Sequence, residues 1–403
     1  MVKANTSYRF RIISAAPRCP FALSVDGHKL IVMATDGAPL KPATVDSLVI
    51  GSGERYDIVI TANQNPGNFW IKCQGLVDCA PSNGHASAIL RYEGAPEVDP
   101  PGSPTEWRQG TIFNPFPDPK MNRSERHDIY QDSLRYGGKD EDYSSELVDV
   151  KYYITLQWST NDNTRYNHPV YYPVADLHPR KMHLTPTMNN ITYYFHPAPL
   201  LTQWNDVAAD LRICNSSTVN MSACEKDLCY CTHLLDVKLG QVVELFILSH
   251  SDSMHPMHLH GYQFRVVGNG MFDTMKTVQE VMDMDLAGRI PRILQNPMHK
   301  DTVMVHGGFT YTIIRFKADN PGTWFFHCHT DGHMQQGMAM VIKVGNLNEF
   351  PTPPSYFPRC GGYAYRNTLY KVTTSSSWRL LNKFSTNVLN SVASILLVVY
   401  YHF

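Results

Sequence analysis

The sequence predicts an all-β protein with two consecutive sandwich or barrel domains that are joined by a long connector. Three observations indicate this architecture. The chain has 403 residues, enough for two or three domains with their own hydrophobic cores. Its 27 Pro and 25 Gly residues interrupt the sequence too often for long helices. Short runs rich in β-branched and aromatic residues recur on both sides of a proline-rich segment.

The first predicted domain covers residues 1–94, where turn signals separate short strands. Gly, Pro, Asn, Asp and Ser cluster at residues 36–37, 51–53 and 65–67, as expected for connections between strands. The predicted strands are Tyr8–Ile13, His28–Thr35, Arg55–Thr61, Asn68–Cys73 and Ala86–Tyr92.

Residues 95–145 form the predicted connector, because Pro, Gly and charged residues accumulate there without periodicity. Strand patterns resume in residues 146–362, which we assign to a second β domain. Its predicted strands are Tyr152–Gln157, Val242–Leu248, Tyr262–Gly268, Thr310–Phe316, Trp324–His327 and Met338–Val344.

Residues 363–403 are interpreted as a tail outside both domains. Three serines at residues 375–377 precede a spacer and an apolar run from Val388 to Phe403, which is the order of a GPI-anchor signal. The run is short for a transmembrane helix, so a short membrane anchor is the weaker alternative. A terminus that is simply apolar is the third interpretation.

Charge and cysteine content narrow the classes of function. The formal net charge is −1, which gives no positive field for binding nucleic acid. Nine cysteines suggest a secreted or extracellular protein with one cysteine in a separate chemical role, assigned below to Cys328. The other eight allow up to four disulfides, whose pairing the sequence leaves open. Met1 is not followed by a secretory signal, so we expect that a front end is missing.

Two short segments concentrate the metal-binding side chains. Residues 255–261 read His-Pro-Met-His-Leu-His-Gly, and residues 327–333 read His-Cys-His-Thr-Asp-Gly-His. Side chains alternate between the faces of a strand, so His258 and His260 point one way, as do His327 and His329, while Cys328 points the other way. One strand can therefore serve two metal sites.

The spacing of the second segment predicts a copper site. His255, Cys328 and His333, with Met338 as a weak fourth ligand, match the donor set of a blue-copper electron-transfer centre. His258, His260, His327 and His329 form a second, all-imidazole group beyond Cys328. Structural zinc is the weaker alternative, because it would leave most of these ligands unused. Isolated histidines such as His233, His299 and His306 are not assigned to any site.

At these residues the chain resembles the multicopper oxidases, and it is most similar to insect laccase-like members. The similarity extends to Cys19-Pro-Phe, residues 52–57 (Ser-Gly-Glu-Arg-Tyr-Asp), residues 320–326 and residues 358–361, and it covers about Tyr8 to Gly362. It implies cupredoxin-like Greek-key domains and makes His255, Cys328, His333 and axial Met338 the type 1 copper ligands. His258 becomes a type 2 ligand, and the type 3 ligands become His260, His327 and His329.

The chain departs from the family pattern in one respect. The family usually has three cupredoxin domains, and the first supplies two further His-x-His pairs to a trinuclear copper cluster. The two pairs described above are the only ones in this sequence. We therefore expect a truncated form that covers the second and third domains, lacks the first and presents a half-liganded cluster.

The resemblance implies a laccase-class oxidase that removes single electrons from phenolic donors such as diphenols and catechols and reduces dioxygen to water. His333 would receive the electron, and Cys328 would pass it to the cluster. Alternatives are a ferroxidase, a non-catalytic single-copper electron-transfer protein, and a pair of chains that pool eight imidazoles. We expect a secreted protein, and anchoring at the outer cell surface by its tail is one interpretation. Asp331 could steer a cation, although a loop hydrogen bond is the favoured role.

Overall fold

The computed structural model describes residues 1–80, 84–106, 110–115, 129–138, 147–162, 182–208, 212–214, 229–360 and 395–399. They are mostly strands, which confirms the predicted fold class. The strands of the first half are β1 (Ser7–Ser14), β2 (Phe21–Val25), β3 (Leu30–Thr35), β4 (Ala38–Val45), β5 (Ser47–Ile50), β6 (Arg55–Thr61), β7 (Asn68–Gly75), β8 (His85–Arg91) and β9 (Ile112–Phe113). A last strand, β23 (Ile395–Val399), pairs with β1.

These strands form two five-stranded sheets in the orders β23-β1-β6-β3-β4 and β8-β7-β2-β5-β9. Alternate residues of β1 are buried and exposed, as expected for a strand with one face on a core. Phe10 and Ile58 from the first sheet meet Leu23 and Leu48 from the second in one buried hydrophobic cluster. The two sheets therefore pack as a sandwich.

The described parts of the connector are fixed by backbone contacts. Within it, β9 runs parallel to β5, and the side chain of Phe113 is fully buried. Further along, Arg135 forms an isolated bridge with Pro297. The connector therefore touches both halves of the chain where it is described.

The second half is built on one 13-stranded sheet with the path β18-β17-β20-β15-β10-β11-β12-β14-β22-β21-β16-β19, and β13 pairs with β14. Its strands are β10 (Val150–Asp162), β11 (Met182–Met188), β12 (Ile191–Tyr193), β13 (Ile213–Cys214), β14 (Cys229–Val237), β15 (Val242–Ser249), β16 (His255–Leu259), β17 (Phe264–Met271), β18 (His299–Lys300), β19 (Thr302–Val305), β20 (Thr310–Lys317), β21 (Gly322–Cys328) and β22 (Ala339–Val344). The α-helices are α1 (Leu200–Val207), α2 (Val278–Leu286) and α3 (Asp331–Gln335), and 3-10 turns occur at Val77–Cys79, Gln131–Ser133 and Leu347–Glu349.

Some of the cysteines form disulfides and others are free. Disulfides join Cys19 to Cys79 and Cys214 to Cys231. Cys73 and Cys360 carry free thiols, so the upper limit of four disulfides among eight cysteines is not reached. Cys328 is also free and buried, as its separate role requires.

Most of the tail lies outside the described residues, including the serines at residues 375–377. The exception is β23, which belongs to the apolar run and adds to the edge of β1. Among the helices of the described residues, none is long and apolar enough to cross a membrane.

Candidate metal centre

Strand pairing brings the two histidine-rich segments side by side. The strand β21 lies between β16 and β22, and its antiparallel register with β16 places His327 opposite His258 and Cys328 opposite Met257. Residues that are far apart in the chain thus share one patch of sheet. The alternation of side chains then sends Cys328 to one face and its two histidine neighbours to the other.

On the first face, three potential ligand atoms converge. The Sγ atom of Cys328 lies 3.7 Å from Nδ1 of His255 and 3.6 Å from Nδ1 of His333, and the two nitrogen atoms are 3.2 Å apart. The second ring nitrogen of His255, Nε2, lies 2.8 Å from the hydroxyl oxygen of Ser251. This contact holds the ring so that Nδ1 faces the thiol. The geometry fits a single small ion between the three side chains.

Met338 is drawn to the same place by the backbone. Its amide donates to the carbonyl of His333 at 2.9 Å, and its own carbonyl accepts from the amide of Cys328 at 3.1 Å. The helix α3, which carries His333, occupies the loop between these contacts. Met338 is fully buried. The loop therefore closes on itself and brings all four predicted residues of the first group to one end of β21.

Burial controls the protonation of this group. It lowers the pKa of His255 to about 3, with a further contribution from His333, and raises the pKa of the Cys328 thiol to about 12. The buried imidazole is therefore neutral at pH 7, which is the form that binds metals. The thiol keeps its proton until a cation displaces it.

On the opposite face, three imidazoles form the second group. The ring nitrogens of His258, His260 and His327 that could bind an ion lie within 4.8 Å of one another, and the Nε2 atoms of His260 and His327 are 3.1 Å apart. The ring of His329 lies farther out, with its centroid 5.7 Å from that of His258 and 5.8 Å from that of His327. Burial lowers the pKa of His327 to about 3 and also lowers the pKa values of His260 and His329.

Backbone carbonyls hold the Nδ1 atoms of two of these rings. The Nδ1 atom of His327 lies 2.9 Å from the carbonyl oxygen of Cys328, and that of His258 lies 2.9 Å from the carbonyl oxygen of Asp301. A carbonyl only accepts, so Nδ1 carries the proton in both rings. Their Nε2 atoms therefore carry no proton, and each turns a free lone pair toward the centre of the group.

A pocket of about 200 Å³ lies beside His333, between the two halves of the chain. Arg18 and Ser52 line it from the first half, and Asp252 and Met254 line it from the second. Trp158 packs edge-to-face on the His333 ring, with centroids 5.1 Å apart. Sequence reasoning did not place these residues beside His333. Ser52 was noted only within a motif shared with the family, and Trp158 and Asp252 belong to no motif.

The unassigned histidines lie elsewhere. His233 is fully buried in β14, and burial lowers its pKa to about 4. His299 stacks on Tyr136 with centroids 4.0 Å apart, and His306 is also buried. Asp331 accepts a 3.4 Å hydrogen bond from the Gln335 side chain within helix α3, where a loop hydrogen bond was expected.

The β-sandwich fold and the two clusters of metal-binding side chains point to one family of proteins. Sequence comparison identifies that family. Two profiles described as multicopper oxidase match residues 1–95 and residues 194–348. The chain belongs to the multicopper oxidase family, and this confirms the family resemblance of the sequence.

Comparison with individual relatives shows what share of their length this chain covers. It is 29% identical over 363 residues to Laccase-4 of Thanatephorus cucumeris, covering 89% of this chain and 54% of the relative. Identity to L-ascorbate oxidase of Brassica rapa subsp. pekinensis is 26% over 369 residues, covering 89% of this chain and 58% of that protein. The chain thus spans a little over half the length of these relatives.

Solved structures confirm the cupredoxin-like fold. Fet3p, described as a multicopper oxidase that functions in iron import, superposes with a TM-score of 0.58 at 22% identity and covers 85% of this chain and 56% of its own. The laccase from Botrytis aclada gives a TM-score of 0.57 at 21% identity, with 87% and 54% covered.

Proposed function

We propose that the chain carries the electron-entry site and half of the dioxygen-reducing site of a laccase-like copper oxidase. The observation that carries this proposal is the position of Cys328. Its thiol belongs to the first cluster, while the histidine on each side of it turns to the imidazole group on the opposite face. The two groups are thereby joined by a few covalent bonds.

The first cluster fits copper by its chemistry. Two imidazoles, one thiol that becomes a thiolate and one nearby thioether residue form a soft set that is typical of a blue-copper site. We assign His255, Cys328 and His333 as type 1 ligands and Met338 as the axial ligand. A bound copper ion would supply a one-electron acceptor. Ser251 would hold the His255 ring in place, and burial would exclude water from the thiolate.

The imidazole group fits half of a trinuclear cluster. We assign His258 as a type 2 ligand and His260, His327 and His329 as type 3 ligands. Four imidazoles are too few to enclose three copper ions, so we propose that ligands from outside this sequence, such as a further cupredoxin domain, complete the cluster. A single-copper electron-transfer role is the second candidate, and it is favoured by this shortage of ligands.

The pocket beside His333 is where we place the reducing substrate. A small phenol in contact with the His333 ring would lie one imidazole away from the first cluster, and Trp158 would flank it. Asp252 in the same pocket could accept a phenolic proton or attract a cation. Diphenols and catechols are therefore the proposed donors, and ferrous iron is the proposed alternative; one structural neighbour is described as functioning in iron import.

The disulfides support a proposed extracellular location. Two described disulfides are typical of proteins that fold in an oxidising compartment. Secretion and attachment through the tail are both part of this proposal. The test is treatment of intact cells with a phosphatidylinositol-specific phospholipase, which should release the protein if the tail directs a GPI anchor. Retention of Val388 to Phe403 in the mature protein would contradict it.

Copper reconstitution tests the central proposal. Copper should bind tightly at the first cluster, and the copper-loaded chain should show the intense blue absorption band of a thiolate-bound copper. The Cys328→Ser variant should lose the band, whereas Cys360→Ser, which alters an exposed free thiol, should keep it. A blue band in Cys328→Ser, or no band in the unmodified chain, would contradict the assignment.

Oxygen consumption distinguishes the candidate activities. We expect the isolated chain to accept one electron from a diphenol but to consume little dioxygen, because its cluster has only half of its ligands. A longer form of the protein that supplies the other ligands of the cluster should consume dioxygen continuously. Rapid turnover by the isolated chain would contradict the half-cluster proposal, and a marked preference for ferrous iron would favour the ferroxidase alternative.

A further inference from the structure

The segment that supports His258 is held by residues of the first half of the chain. Arg55, at the start of β6, donates two parallel hydrogen bonds to the carboxylate of Asp301, at 2.7 and 2.5 Å. Asp36, at the end of β3, accepts from the backbone amides of Asp301 and Thr302 at 3.3 and 3.2 Å. Asp36 also accepts from the Arg55 amide at 3.0 Å. The position of Asp301 is thus set from two sides.

The held carboxylate determines which way a neighbouring hydroxyl points. The hydroxyl of Thr302 donates to the Asp301 carboxylate at 2.8 Å, so its oxygen is left as an acceptor. That oxygen lies 2.9 Å from Nδ1 of His258, which also faces the Asp301 carbonyl. A carboxylate oxygen of Asp301 also lies 3.5 Å from Nδ1. All three neighbours therefore accept, and the proton must reside on Nδ1.

The same logic applies to His329 through a shorter path. The oxygen of the Ser52 hydroxyl lies 3.2 Å from Nδ1 of His329. The Ser52 hydroxyl hydrogen points toward the backbone carbonyl oxygens of Ala16 and His329. The His329 carbonyl oxygen lies 2.9 Å from the hydroxyl oxygen. Ser52 therefore acts as an acceptor toward the ring, and Nδ1 of His329 carries the proton as well.

We propose that Ser52 and Arg55 are positioning residues that fix the Nδ1-protonated tautomer of two cluster imidazoles. Ser52 acts on His329 directly, and Arg55 acts on His258 through Asp301 and Thr302. The first half of the chain, to which we assign no metal ligand, thereby prepares two Nε2 atoms for metal binding. The benefit of this role rests on the proposed function, whereas the tautomers are properties of the metal-free chain.

The mechanism depends on the two-pronged geometry of Arg55. A lysine at this position keeps the positive charge but cannot form two parallel bonds to one carboxylate. Asp301 would then be held less firmly, so its carbonyl and carboxylate oxygens and the Thr302 hydroxyl, which all face Nδ1 of His258, would lose their fixed positions. The ring would gain access to the tautomer with its proton on Nε2, where it blocks metal binding.

Nitrogen-15 NMR of the metal-free, histidine-labelled chain reads this tautomer directly. In the unmodified chain, His258 and His329 should both show Nδ1 protonated and Nε2 bare. Arg55→Lys should shift His258 to a mixture of tautomers and leave His329 unchanged, and Ser52→Ala should give the reverse pattern. Arg9→Lys is the matched control, because Arg9 forms its pair with Asp57 on the exposed face of the same sheet.

Zinc binding provides a second readout that requires no oxidase activity. In a Cys328→Ser background, Arg55→Lys should weaken Zn²⁺ binding to the imidazole group by roughly 10- to 100-fold, and Arg9→Lys should not change it. Unchanged tautomers in both Arg55→Lys and Ser52→Ala would overturn the proposal, as would equal effects on both rings in each variant. Absence of the blue copper band in the unmodified chain would instead count against the proposed function alone.

Discussion

At the scale of single residues, Cys328 shows how one position can serve two environments. Its thiol is fully buried, and its carbonyl oxygen is the acceptor for Nδ1 of His327. The same residue therefore contributes to one cluster with its side chain and to the other with its backbone. Sequence reasoning predicted the division of side chains between the faces, because strand alternation is a local property.

Copper binding to the first cluster should release a proton. The pKa of the Cys328 thiol is about 12 in the metal-free chain, so the thiol is protonated at pH 7 and must lose its proton when it binds a cation. Calorimetry in two buffers with different ionisation enthalpies should therefore report about one proton released per copper ion. Cys328→Ser should abolish this release, and a proton count near zero in the unmodified chain would refute the expectation.

Gly53 should be sensitive to the addition of a single methyl group. A Cβ atom there would lie 2.4 Å from the His329 ring, and the backbone φ angle is +78°. Gly53→Ala should therefore displace His329 and weaken Zn²⁺ binding, and the backbone strain alone costs roughly 1–2 kcal/mol. Gly94→Ala is the matched control, because its φ angle is +83° and its Cβ would meet nothing within 4 Å.

A thermal melt and a Zn²⁺ titration of both variants separate the two effects. Equal losses of stability with normal zinc binding in both variants would mean that only the backbone angle matters at Gly53.

At the scale of elements, the central position of β21 explains why the site is well defined. Both of its edges are paired, with β16 on one side and β22 on the other. The sequence predicted β21 and β22 because each contains a run of aromatic or aliphatic residues, Trp-Phe-Phe in β21 and Ala-Met-Val-Ile in β22. It did not predict β4, which contains Pro39 and Pro42. That strand lies at a sheet edge, where proline is tolerated because no ladder bond is lost.

Other elements were missed for different reasons. The strand β14 begins within a cysteine-rich stretch, and its pairing with β12 and β22 is parallel, so no hairpin signal marks it. The predicted strand at Tyr262 begins instead at Phe264 and contains a register shift between Val266 and Gly268. Such boundaries depend on neighbouring strands, which a local pattern does not reveal.

The disulfide between Cys19 and Cys79 should stabilise the first sandwich. Its ends are 60 residues apart, and a loop of that length gives a chain-entropy stabilisation of roughly 4 kcal/mol. Replacing both cysteines with Ala should lower the free energy of unfolding by up to this amount, as measured with denaturant. Cys360→Ala is the control, and a loss no greater than that of the control would contradict the expectation.

At the scale of the whole molecule, the buried histidines predict a loss of stability in acid. Burial lowers the pKa values of His255 and His327 to about 3 and that of His233 to about 4. Below the ordinary histidine pKa of about 6.5, the unfolded chain takes up protons that the folded chain refuses. The free energy of unfolding of the metal-free chain should thus fall as the pH drops from about 6.5 toward 3.

Denaturant unfolding at pH 7, 5 and 4 checks this pH dependence. His233→Gln should make the decline shallower, because it removes one of these three titrations. His85 is exposed, so His85→Gln is the control and should leave the slope unchanged. Stability that stays constant from pH 7 to pH 4 would rule out the expectation.

The contacts between the two halves were beyond the reach of sequence reasoning. Arg55 and Asp301 are 246 residues apart, and neither belongs to a spacing that indicates a pair. The motif that contains Arg55 was noted only for its similarity to the family. The structure gives this motif a physical role, since Ser52 contacts His329 and Arg55 holds Asp301 beside His258.

The buried position of Lys300 limits which halves of two family members can be joined in a chimera. Its ammonium group is fully buried at the boundary, 3.1 Å from the Glu54 carboxylate and 3.3 Å from the Asp36 carboxylate. Losing one member of a buried ionic group strands the others without water, at about 3–5 kcal/mol. A chimera that joins residues 1–94 of this chain to the C-terminal half of a distant relative should fold only when that relative also brings a cation to this position. The three charges should therefore be exchanged together.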